Sequence, residues 1–175
     1  MFLATFGGSH GCCDHLLLTS GSTMPNGIIR LGGEGDFIEL RCVEYGTPPG
    51  MADGDLRLEI SASADDFNGK YDVWIAQAEW SAFIASLVQF ELKRDGKASL
   101  FSMSPDDFEL HFQCVGHVGG QVVAHGHLSR YHFGHPSPTL VRSRVQYCAD
   151  VDPSMLREIV HTFKAIGDDS DSSET

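Results

Sequence analysis

Bases are scarce in this sequence. Twelve Lys and Arg stand against 24 Asp and Glu in 175 residues, a net charge of -12 with histidine neutral. A surface so short of cations repels nucleic acid and anionic lipid, which argues against either as a partner and favours a basic protein by steering its approach. Long apolar runs are missing too. "FLATF" and "LLL" near the start are split by "GGSHGCCDH", and no base precedes Arg30, so the pattern reads as neither a secretory signal nor a membrane span, and a cytoplasmic setting is expected. The five cysteines fall as Cys12, Cys13, Cys42, Cys114 and Cys148, an odd number without the paired spacing that structural zinc needs. That usage fits a reducing compartment.

Signatures of catalysis are equally absent. "GGEG" at Gly32–Gly35 lacks the Gly-Lys-Ser/Thr ending of a phosphate loop and lies between two short strand-like runs, so it reads as a hairpin turn. No Ser stands in a Gly-x-Ser-x-Gly elbow, and no carboxylate pair separates itself from the many acids of the surface. The expectation is a protein without catalysis of its own and without a cofactor. Cys42 and Cys114 lie among apolar neighbours and read as small core residues rather than nucleophiles.

Alternation with period two dominates what is present. Leu56, Leu58, Ile60 and Ala62 face one way while Arg57, Glu59 and Ser61 face the other, as on a half-buried strand. Phe108–Cys114 and Val141–Tyr147 repeat the pattern, and further strands are expected at 37–43, 71–75, 98–103 and 122–133. Turn-forming clusters such as "TPPGMADGD", "DDFNG" and "MSPDD" separate them. Two segments switch to helical period: Trp80, Phe83, Ile84 and Leu87 form a stripe that ends in Lys93 and Arg94, and Leu156, Ile159, Val160 and Phe163 form another. Asp152 and Pro153 suit the start of the second helix and Gly167 its end. The fold class predicted is α+β, a mostly antiparallel, sandwich-like sheet assembly with two packed helices. Residues 1–23 lack either period and read as an appended leader, so that Met24 is an alternative start to Met1; residues 24–167 form one globular domain; and 168–175, "DDSDSSET", reads as a solvated acidic tail.

Five of the nine histidines crowd into "GHVGGQVVAHGHLSRYHFGH", Gly116–His135. On a strand, His125 and His127 share a face with Val123, Ser129 and Tyr131, and two same-face histidines can clasp a metal ion. The pair resembles part of a cupin metal motif, but the glutamate that should follow is missing, since the chain reads Ser129, Arg130, Tyr131, His132. Without a third ligand they read as strand histidines, exposed or hydrogen-bonded, and no metal is expected. The cluster at His10–His15 has ligand types but no partner pair.

The order of these segments resembles the WapI-like immunity proteins, small bacterial proteins that pair with polymorphic toxins. The residues that carry it are "RLGGEGDFIELRCVEYGTPP" (30–49), "DGDLRLEISASADDFNGKYDVWIAQAEWSAFIASL" (53–87), "GKASLFSMSPDDFELHFQCVGHVGGQVVAHGHLS" (96–129) and the closing strand and helix. The leader has no family counterpart, and Ala76-Gln77 stands where the family often opens its first helix with Thr or Ser before acids. The resemblance implies a protein that occupies a toxin domain, often a nuclease, and blocks its active site. Segment 34–109 holds 16 acids and 6 bases, against 3 and 5 in 111–167, so a basic toxin is expected to meet the first half. The partner-binding residues expected are acids in turns: Asp53 and Asp55, Asp65 and Asp66, Asp106 and Asp107. An alternative of a different class is a small-molecule or metal-binding β-rich protein, or an enzyme, that uses the His125/His127 strand.

Overall fold

The computed structural model describes residues 27–33, 35–45, 54–104, 106–116, 120–132 and 141–168. Eight strands form two antiparallel four-stranded sheets, each in simple sequence order. The first holds β1 (Ile28–Gly32), β2 (Phe37–Tyr45), β3 (Leu56–Ala64) and β4 (Phe67–Ile75). The second holds β5 (Lys97–Phe101), β6 (Phe108–Val115), β7 (Gln121–His132) and β8 (Val141–Val151). Helix α1 (Gln77–Lys93) joins the sheets, and α2 (Leu156–Asp168) follows β8 after a 3-10 turn at Pro153–Met155. This is the α+β class that the alternation and the two helical stripes predict.

Period two places the core. The odd or even set of apolar residues on each strand points into one space between the sheets: Leu56, Leu58, Ile60 and Ala62 from β3, and Phe108, Leu110 and Phe112 from β6, are all buried. Two glycines show how the sheets cross. An ideal Cβ on Gly69 of β4 would come 3.0 Å from Val145, and one on Gly32 of β1 would come 2.9 Å from Ala149, both on β8. The register Gly69↔Ala62, Ala62↔Ile38, Ile38↔Leu31 puts Gly69 in line with the residue beside Gly32, three strands away. Three interstrand spacings span ~14 Å, and the Val145-to-Ala149 stretch of β8 spans ~13 Å, so β8 crosses the first sheet close to a right angle.

The helices close the open end of this space. Trp80 and Phe83 of α1 meet Phe163 of α2 with ring centroids 5.8 and 5.1 Å apart, and Phe112 of β6 lies 6.2 Å from the same Phe163 ring. Asp152 caps the second helical segment as expected, its carboxylate accepting from Ser154 N at 2.8 Å. That carboxyl is held below its ordinary range by hydrogen bonds from the Ser154 backbone and side chain.

Several boundaries differ from the sequence reading, each for a local reason. Strand β4 starts at Phe67 rather than Tyr71 because the turn in "DDFNG" uses only Asp65 and Asp66, and Ala64 pairs directly with Phe67. Strand β5 ends at Phe101, short of Met103, and β8 runs on to Val151 because its partner β7 begins at Gln121 and gives it residues to pair with. Gly167 lies inside the last turn of α2, which ends at Asp168. Cys42 and Cys114 pack against the core but are only partly buried, and Cys148 is exposed. The expected leader lies outside the described residues, with Cys12, Cys13 and the His10–His15 cluster; so does the expected tail beyond Asp168.

Candidate functional site

The outer face of the second sheet is built by register. His111 on β6 stands opposite His125 on β7, and Glu109 stands opposite His127. Cross-strand neighbours on one face touch, so the two His rings sit 5.2 Å apart and the Glu109 carboxylate reaches both His111 Nε2 at 3.3 Å and His127 Nδ1 at 3.5 Å. Arg144, from β8, donates to His127 Nδ1 at 2.8 Å. A guanidinium can only donate, so Nδ1 accepts, and Nε2 carries the proton that it gives to the Asp106 carbonyl at 2.9 Å. Ser99 Oγ lies 3.0 Å from His111 Nδ1, leaving His111 Nε2 as the donor to Glu109. Burial, with the Lys97 ammonium adding to it, holds both His111 and His125 below the usual histidine range. The Nε2 of His125 is buried and has no hydrogen-bond partner among the described residues.

The glycine of the His-Gly-His run has a separate cause. Gly126 points into the core opposite Tyr147, whose ring lies across it so that the hydroxyl donates to the Glu109 carbonyl at 2.6 Å. A Cβ at Gly126 would overlap that carbonyl and come 2.8 Å from the hydroxyl. Burial pushes the Tyr147 phenol well above its usual range, with the Glu109 charge adding to the effect.

These side chains floor an open cleft of about 670 Å³ whose lip includes Asp36, Ala64 and Asp65 from two turns of the first sheet. The turns are braced to each other: Asp65 N donates to Asp36 Oδ1 at 2.7 Å, and Asp65 takes a left-handed φ of 52° in a two-residue hairpin. Asp36, Asp65 and Asp66 are exposed, and among the described residues none of them forms an ion pair. Most acids on the outer face of the first sheet are compensated across strands, as in Arg57 with Glu44 at 2.8 Å and Lys70 with Glu59 at 2.9 Å.

The acids expected in turns therefore separate. Asp65 stands exposed on the lip, and Asp66 is exposed next to it. Asp55 is 3% exposed, which corrects its reading as a surface turn residue: its carboxylate accepts from Gln77 N at 3.1 Å and caps α1, where the N-cap residue Ala76 has no side chain to do so. It also lies at the far end of β3, ~30 Å from Asp65 at strand rise. Asp53 lies outside the described residues. Asp106 is exposed but paired with Arg142 at 3.5 Å, while its carbonyl accepts from His127, Ser129 and Arg142 and pins the β5–β6 turn. Asp107 is half-buried, and loss of solvation raises its carboxyl above the ordinary range.

Sequence reasoning missed Asp36, Glu109 and Arg144. The parity of "FELHF" against "AHGHL" carried the signal for Glu109, but the pairing of those strands is not in either segment. Among the described residues no group of three or more His, Cys, Asp or Glu side chains is placed to hold a metal ion. No helix among them is long and apolar enough to cross a membrane.

A family model, the immunity protein WapI-like family, matches residues 28–169. The chain belongs to that family. The matched span runs from the first residue of β1 to one residue beyond α2, so every element of this WapI-like protein lies within it. No curated protein and no solved structure matches it. Family membership makes toxin immunity the role that its surfaces have to be read against.

Proposed function

We propose that this WapI-like protein neutralises a cognate toxin domain by binding it, and that the first contact runs through the uncompensated carboxylates of Asp36, Asp65 and Asp66. The observation that carries this reading is the braced pair of turns, which holds unpaired acids in fixed positions on the lip of an open cleft. A net charge of -12 extends the same field over the surface. Exposed like charges of this kind accelerate encounter with a basic partner more than they tighten the final complex. A nuclease domain, which must bind a polyanion, is a partner of that sign.

The test is association kinetics with the toxin domain encoded beside the gene for this chain, over a salt series, with growth rescue alongside. Asp65→Lys/Asp66→Lys is expected to slow association by about tenfold at low salt and to flatten its salt dependence, because exposed charges are screened over about 8 Å at physiological ionic strength. Association that ignores both salt and charge reversal would remove the acidic turns from the interface. Absence of binding and of rescue would count against the neutralising role.

A further inference from the structure

We propose, resting on the toxin-binding reading above, that Phe67 is the aromatic anchor of the interface and seats in an apolar pocket of the toxin ringed by Lys or Arg. By strand parity Phe67 belongs to the inward face of β4, the face of Val73 and Ile75, yet it is 73% exposed, the most exposed large apolar side chain among the described residues. The crossing of the sheets explains why. Gly69, two residues along the same face, is where Val145 and Leu128 of the second sheet press against β4. Two residues nearer the turn, the ring of Phe67 is left mostly in solvent. An aromatic ring carries about 150–250 Å² of surface that a partner can bury.

Three features distinguish this ring from an incidental apolar residue. It sits on a two-residue turn cross-braced by the Asp65-to-Asp36 hydrogen bond of 2.7 Å, so the partner has little backbone left to order. Asp65 and Asp66 precede it directly and Asp36 stands beside them, which is an apolar centre with a charged rim, the arrangement of an interface hot spot. Its strand partner Ala64 and the preceding Asp65 line the cleft that also holds Glu109 and Arg144, so a partner seated on the ring has that cleft within reach. A second copy of this chain is a poor occupant because two acidic rims would meet. Leu92, 67% exposed on the last turn of α1, is flanked by charges of both signs, Glu91 and Lys93, rather than by acids alone, and is the internal control.

The experiment measures Kd and dissociation rate for the toxin domain encoded beside the gene, using the full chain. Phe67→Ala is expected to weaken binding by about 30-fold or more, mainly through faster dissociation. Phe67→Tyr, which keeps the ring, retains affinity, and Leu92→Ala stays within about twofold of the parent. The thermal midpoint of Phe67→Ala should stay close to the parent's, since the ring is 73% exposed. If Phe67→Ala binds within about threefold of the parent, the anchor is overturned while immunity stands. If the parent chain itself neither binds nor protects, both readings fall.

Discussion

Replacing Gly126 with alanine tests the close packing of glycine, tyrosine ring and backbone carbonyl that underlies the histidine face. The new methyl would overlap the Glu109 carbonyl oxygen, a backbone atom fixed by the β6–β7 ladder, and would come 2.8 Å from the Tyr147 hydroxyl. Overpacking in a well-filled core costs about 1–3 kcal/mol, and a clash with backbone that cannot rotate away belongs at the upper end. Tyr147 is 4% exposed and its hydroxyl donates to that same carbonyl, so displacing it forfeits a buried hydrogen bond as well. That loss adds about 1 kcal/mol, for a sum of about 3–4 kcal/mol. Urea unfolding followed by the fluorescence of Trp74 and Trp80 measures it. Tyr147→Phe alone should cost about 1 kcal/mol, and in that background Gly126→Ala should cost about 1 kcal/mol less than in the parent, because part of its penalty has already been removed. A Gly126→Ala protein less than about 1 kcal/mol below the parent, with an unchanged denaturant slope, would refute the close approach of ring, glycine and carbonyl.

Asp55→Ala removes the carboxylate that accepts from Gln77 N and should destabilise the fold by about 1–2 kcal/mol in the same unfolding assay, with Asp55→Asn, which keeps an acceptor, costing less. Neither change should alter the association rate with toxin, since the carboxylate is buried at the end of β3 away from the lip. Histidine titration gives a pH dependence of definite sign. His111 and His125 are held below their ordinary range, so the unfolded chain takes up protons first as pH falls; the stability they contribute is present above about pH 6.5 and is lost as pH falls toward their folded values. Thermal melts at about pH 7 and pH 5 should show that loss, and His111→Gln/His125→Gln should reduce it. An unchanged difference between the two pH values in the double variant would mean that other groups cause the loss.

Local periodicity was enough to assign most elements, because burial on one face of a strand or helix leaves its mark on neighbouring residues. Leu56 to Ala62, Phe108 to Cys114 and the Leu156–Phe163 stripe all declared both their element type and their inward face in this way, and the clustered order of the segments carried the family resemblance. The ends of elements were less legible, since β4 and β8 extend as far as their partner strands allow and a partner is not a local property. The site was least legible of all. Asp55 and Asp65 look alike in the sequence, each acid in a turn beside the same strand, yet one is drawn inside to satisfy an uncapped helix and the other is left in water. Glu109, His111, His125 and Arg144 share a face only through the register of three successive strands, which none of the three segments carries by itself. Phe67 is left in solvent two residues from Gly69, where Val145 of β8 and Leu128 of β7 meet β4, and the place where one sheet meets the other is recorded by no alternation pattern within either of them.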